Sequence, residues 1–144
     1  MRNEPSGNST RHGPATCLES SLDGRCCEWR FPSVLGSVAG MRRELHGFLD
    51  DTALSADAIG DLVLAASEAA NNAVEHAQQP TEPFFDVCSV VEDGAVTIVI
   101  EDHGGWLQPT FPSTRGRGLA MMRSLADTTV TARSHGTMVT IRNR

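Results

Sequence analysis

The stretch LVLAASEAANNAVEHA, residues 62–77, constrains the fold more than any other part of the chain. At about 100° per residue, Ile59, Leu62, Val63, Ala66, Ala69, Ala70 and Ala73 fall on one face of a helix, which therefore turns that face to a core. Glu68, Asn72 and Glu75 fall on the opposite face, with His76 at its border. Glu68 and Asn72 are four residues apart and so lie one turn from each other. A carboxylate and a carboxamide placed this way can hold a hydrated Mg²⁺ or orient a hydroxyl, since both offer oxygen to a hard cation. They can equally form a solvated polar face, and the helix alone does not decide between the two.

The segments around this helix supply a sheet. Trp29 and Phe31 mark a short strand ended by Pro32, and Ser33 can cap a helix over 33–49. Ser55 caps the second helix, which Pro80 stops. FFDVCSVV and AVTIVIED are β-rich runs joined by EDG, an antiparallel hairpin with Gly94 in the turn. After the Gly- and Pro-rich loop HGGWLQPTFPSTRGRG comes a helix, LAMMRSLAD, and then the strand-like runs TTVTAR and TMVTIR across SHG. The order βααββ, long loop, αββ predicts an α+β fold: one largely antiparallel sheet with helices on one of its faces. Residues 1–25 carry no apolar period and are expected to be a disordered leader, with one domain over 26–144.

Charge and composition narrow the chemistry. All twelve basic residues are arginine, so no lysine exists for a Walker-type phosphate loop, a Schiff base or a lysine general base. The net charge of −6 is uneven: residues 28–102 hold fourteen acids and three arginines, whereas 103–144 hold six arginines and one acid. That balance disfavours general nucleic-acid binding, yet the basic third can hold a phosphate ligand. No apolar run approaches the roughly 18 to 20 residues of a membrane span, and the N-terminal residues lack the apolar centre of a signal peptide. A cytoplasmic protein is expected. Cys17, Cys26, Cys27 and Cys88 form no CxxC pair, and with few histidines nearby they make no convincing zinc pattern, so they are read as buried or idle thiols.

Two further features point to a ligand. Asp102 ends a strong β run and precedes a flexible HGG turn, where a carboxylate can accept hydrogen bonds from an exocyclic amine. In RGRGL, two glycines precede a helix, so backbone N–H groups and the helix N-terminus can face an anion, with Arg115 and Arg117 adding charge.

In this order the motifs resemble the boxes of the GHKL ATPase superfamily, which includes gyrase, MutL and the histidine kinases. Glu68-x-x-x-Asn72-Ala-x-x-His76 is similar to its N box, Asp102-His-Gly104-Gly to its first glycine box, Gly116-Arg-Gly118-Leu to its second, and Gly136-Thr137 to its closing strand motif. The resemblance covers residues 28–144, and the FPS entry, short lid and GRGLAMMRSLAD look most like the anti-sigma-factor serine/threonine kinases of bacteria. It implies the two-layer Bergerat ATP-binding fold, with ATP and Mg²⁺ as cofactors. By resemblance, Asn72 coordinates Mg²⁺, Glu68 is the general base for an attacking hydroxyl, and Asp102 binds the adenine amino group. Gly104 lets the backbone approach the base, Gly116 and Gly118 serve the phosphates, and Thr137 lies near adenine. Either Arg115 or Arg117 takes the arginine role beside the second glycine box.

Phosphoryl transfer rests on positioning and charge neutralisation, which Mg²⁺, glycine-loop amides and arginines supply without a lysine. The segment from Gly105 to Gly116 can act as a lid, with Trp106 and Phe111 anchoring it, meeting a partner or simply packing. The resemblance implies a kinase that sequesters a sigma factor, phosphorylates an antagonist protein on serine or threonine, and pairs as a homodimer. In the helix over 33–49, Val34, Val38, Met41, Leu45 and Leu49 form a stripe beside Arg42 and Arg43 that serves the core, the dimer, or both. The other expectations are an ATP-binding module that never transfers phosphate, and a detached histidine-kinase-like catalytic domain. The short segment before the domain argues against the last.

Overall fold

The computed structural model describes residues 16–19, 24–78, 82–106 and 113–144. The elements in chain order are β1 Thr16–Glu19, β2 Arg25–Pro32, α1 Gly36–Leu49, α2 Ala56–His76, β3 Ala77–Gln78, β4 Phe84–Glu92, β5 Ala95–Glu101, β6 Gly105–Trp106, α3 Ser113–Leu125, β7 Asp127–Arg133 and β8 Gly136–Arg142. Six strands form one antiparallel sheet in the order β1-β2-β4-β5-β8-β7, and β3 pairs with β6 in a separate two-stranded ladder. This is the α+β architecture that the segment order predicts.

Strand alternation decides which face is covered. Cys27, Trp29 and Phe31 of β2, Phe85 and Val87 of β4, Val96, Ile98 and Ile100 of β5, and Val139 and Ile141 of β8 are buried on one face. There they meet Val38, Met41, Leu45, Phe48 and Leu49 of α1 and the predicted stripe of α2, every member of which is buried. The α2 stripe is mostly alanine, so the helix backbone lies close to the strands and its polar residues are held near the sheet. Trp29 meets Phe48 edge-on at 5.9 Å, and Phe31 lies 5.6 Å from Phe85. The β4–β5 hairpin turns through Asp93 and Gly94 with φ of 51° and 78°, the two positive values a type I′ turn requires.

Several boundaries differ from the sequence reading. Residues 16–19, placed by that reading in a disordered leader, form an edge strand on β2, because β2 offers a row of backbone partners that no single-strand pattern reveals. Helix α1 begins at Gly36 with Leu35 before it and no side-chain cap. The predicted cap, Ser33, instead donates its backbone N–H to Pro83 O at 2.9 Å, which leaves it in the strand exit and Val34 exposed. Ser55 does cap α2: its Oγ accepts the Ala58 N–H at 3.1 Å. Helix α3 starts at Ser113 and takes Gly116 and Gly118 into its first turns, where the sequence reading had them precede the helix. Each glycine costs such a helix only about 1 kcal/mol, which packing against α2 can offset. Among the described residues, no helix is long and apolar enough to cross a membrane.

Candidate nucleotide site

Alternation along β5 turns Ile98 and Ile100 inward and Glu101 outward, so Asp102 is the next inward residue, just past the strand end and 3% exposed. A carboxylate this deep needs hydrogen-bond partners. Its Oδ1 accepts the backbone N–H of Gly104 at 3.1 Å and of Thr137 at 3.2 Å, and its own N–H donates to Thr137 O at 3.0 Å. Thr137 is itself buried. The approach of β8 depends on Gly136, where a Cβ would overlap the Asp102 carbonyl oxygen and stand 3.2 Å from His103 Cα. Asp102, Gly104 and Thr137, three of the predicted residues, thus form one hydrogen-bonded unit.

A second group is built on the helices. Glu68 is partly buried and turned toward α3: a Cβ added at Gly118 would stand 2.7 Å from Glu68 Oε2 and 3.3 Å from its Cδ. The missing side chain at Gly118 makes room for the carboxylate. Asn72, one turn further along α2, is 6% exposed, so it does not belong to a solvated face. Helix α2 packs against α3 and against β5 and β8, the strand that Asp102 follows and the strand that holds Thr137. The β3–β6 ladder, Ala77 opposite Trp106 and Gln78 opposite Gly105, ties the end of α2 to the chain just beyond Gly104. Residues 115–117 are helical in α3, but their side chains, like that of His76, lie outside the described residues, as does Phe111 of the expected lid.

The donor set suits a magnesium nucleotide. A fixed buried carboxylate can accept from an exocyclic amine, and carboxamide and carboxylate oxygens one turn apart suit a hard divalent cation. In α3 the N–H groups of Ser113, Thr114 and Arg115 belong to the first turn, have no intrahelical acceptor and can face phosphate, whereas Gly116 and Gly118 lie deeper.

One polar group near this end was not foreseen. His103 points to the helix-free face, its Nε2 3.0 Å from Asp86 Oδ2 and its ring edge-on to Phe84 at 5.1 Å. Asp86 Oδ1 also accepts Arg30 Nε at 2.8 Å, and the guanidinium lies 3.7 Å from the Phe84 ring centre. The Asp86 hydrogen bond, against a small opposing effect of burial, holds Arg30 above its ordinary pKa. The β2–β4 register sets Arg30 opposite Asp86, and the β4–β5 register sets Asp86 opposite Glu101, two residues before His103.

Comparison with known proteins agrees with this fold. A family profile described as "Histidine kinase-like ATPase domain" matches residues 31–143. The chain is 34% identical over 79 residues to "Serine-protein kinase RsbW" of Staphylococcus epidermidis, an alignment covering 54% of this chain and 50% of the relative. The same protein in strain ATCC 12228 of that species matches equally. The chain therefore spans about half the length of the curated relatives it matches. Among solved structures, the RsbU and RsbW domains of a Mycobacterium tuberculosis protein superpose with a TM-score of 0.66 at 23% identity, covering 91% of this chain and 32% of that one, which shows the fold.

Proposed function

The chain belongs to the histidine kinase-like ATPase domain family, and from that premise we propose that it is an ATP-binding anti-sigma factor with protein serine/threonine kinase activity. It sequesters a sigma factor in the cytoplasm, works as a homodimer, and phosphorylates a serine or threonine of an antagonist protein. The observation that carries the nucleotide part is the buried Asp102 carboxylate, oriented by two backbone amides at the end of β5. The kinase part is supported by Glu68 beside Gly118 and by the likeness to a serine-protein kinase.

In this reading Asp102 accepts a hydrogen bond from the adenine amine, with Gly104 and Thr137 flanking the base. Asn72 holds Mg²⁺, which when bound neutralises phosphate charge. The free amides at the start of α3, with Gly116 and Gly118 behind them and Arg115 or Arg117 beside them, receive the phosphates. Glu68 takes the proton from the attacking hydroxyl of the antagonist.

Calorimetry with Mg-ATP and transfer from labelled ATP to candidate antagonists test this. Wild-type protein is expected to bind nucleotide, Asp102→Asn to bind it more weakly, and Glu68→Ala to keep ATP while losing transfer by about a hundredfold or more. Folded wild type that binds no nucleotide would end the reading. Binding without transfer would leave an ATP-dependent binding module, and transfer to a histidine would indicate the histidine-kinase-like alternative.

A further inference from the structure

The helix-free face of the sheet holds a second cluster with no part in the nucleotide site. Cys26 and Glu28 are alternate, outward residues of β2, and Cys88 is outward on β4 directly opposite Glu28. One ligand atom from each, two sulfurs and a carboxylate oxygen, lie within 4.8 Å of one another. We propose that Cys26, Glu28 and Cys88 form a binding site for a borderline-soft divalent transition ion of the Zn²⁺ class.

The donor chemistry selects the ion. Thiolates suit Zn²⁺ and its neighbours and not Mg²⁺ or Ca²⁺, and one carboxylate completes a common three-donor set. Two sulfurs bound tetrahedrally at about 2.3 Å from one ion stand roughly 3.8 Å apart, so the observed spacing closes with small side-chain rotations. The register favours a bridging atom over a direct sulfur–sulfur bond. Cys26 opposes Val90, not Cys88, so the two thiols sit on a diagonal whose α-carbons are typically about 7 to 8 Å apart, beyond the usual disulfide range. Both thiols are free, whereas Cys27, expected from the sequence to be an idle thiol, is disulfide-bonded. The nearby cation does not take the ion's place, because Arg30 is already bonded to Asp86. A cavity of about 500 Å³, lined in part by Glu28, Cys88, Arg30 and Asp86, opens beside the cluster, and Glu28 is exposed. A fourth position is thereby accessible to water or to a donor from another molecule, the arrangement of an open zinc site.

Cobalt(II) serves as the spectroscopic probe on fully reduced, metal-free protein. Wild type is expected to develop thiolate-to-cobalt charge-transfer and tetrahedral d–d bands that added Zn²⁺ abolishes at one equivalent. Cys26→Ser/Cys88→Ser is expected to lose the bands while keeping its far-UV circular dichroism. That variant retains the other two cysteines, so bands that persist in it would overturn the assignment, as would their absence from wild type. Should the double variant not fold, Glu28→Gln decides: the residue is exposed and its loss leaves the core intact, so an unchanged cobalt spectrum and unchanged zinc affinity would sink the three-donor site. Nucleotide binding, on the other face of the sheet, is expected to be indifferent to all three substitutions.

Discussion

Gly118 touches Glu68 more closely than any substitution there could allow. In Gly118→Ala the new Cβ, 2.7 Å from Glu68 Oε2, displaces the end of a flexible side chain and no backbone, so the fold is expected to survive with unchanged or slightly higher melting temperature. If Glu68 is the base, a shift of about 1 Å lowers phosphoryl transfer by about a hundredfold with little change in ATP affinity, a difference that single-turnover kinetics would read. A second residue effect concerns alkali. Burial first, and then Cys26 and Glu28, push the Cys88 thiol up from its ordinary 9.0 to about 11. The folded chain therefore holds this proton more tightly than the unfolded one. The resulting stabilisation is fully present below pH 9.0 and is lost as pH rises toward about 11. No lysine or tyrosine titrates in that window in this chain. In metal-free protein the urea midpoint should thus fall between pH 9.0 and about 11, and less so in Cys88→Ser; equal slopes for the two would refute the attribution.

At the scale of elements, α2 serves at once as core and as carrier of candidate site residues. Ala65, Ala66, Ala69, Ala70 and Ala73 are all at most 2% exposed, leaving no room for larger side chains. Ala66→Leu should cost about 1–3 kcal/mol in chemical denaturation, and because Glu68 and Asn72 ride on the same helix it should also weaken Mg-ATP binding. Much of this was legible beforehand: the α2 stripe, the Ser55 cap and the EDG hairpin follow from periodicity and turn chemistry carried within each segment. What was not legible depends on partners. Two- and four-residue strands such as β3, β6 and β1 have no period to read, and α3 begins before its glycines because contact with α2 overrides propensity. The Arg30–Asp86–His103 group and the Cys26–Glu28–Cys88 cluster arise from register between strands some sixty residues apart in sequence, which no single run of residues records. The candidate site was legible as a set of types in order, Glu68, Asn72, Asp102, Gly118, but not as the Asp102–Thr137 hydrogen bond that joins β5 to β8.

For the whole molecule, the exposed charge of α1 is predicted to be separable from the candidate nucleotide site. Arg42 and Arg43 are exposed on α1, while Val38, Met41, Leu45 and Leu49 of the same helix are spent on the core. Reversing both arginines to glutamate should leave ATP affinity nearly unchanged, since exposed charges beyond about 10 Å are largely screened at ordinary salt. Any loss of dimer in light scattering or of sigma-factor capture would then mark that helix as a partner surface, and a large change in ATP affinity would deny the separation. The bonding of Asp102 also sets how this fold opens in time. Because one carboxylate oxygen engages the amides of both Gly104 and Thr137, the Thr137 proton reaches solvent only when the end of β5 and the start of β8 part company, and the Gly104 proton when the turn after Asp102 opens. Their hydrogen exchange should accordingly be slow, and nucleotide should slow both. These two protons would act as an internal clock for opening of the candidate pocket, readable without any label on the protein.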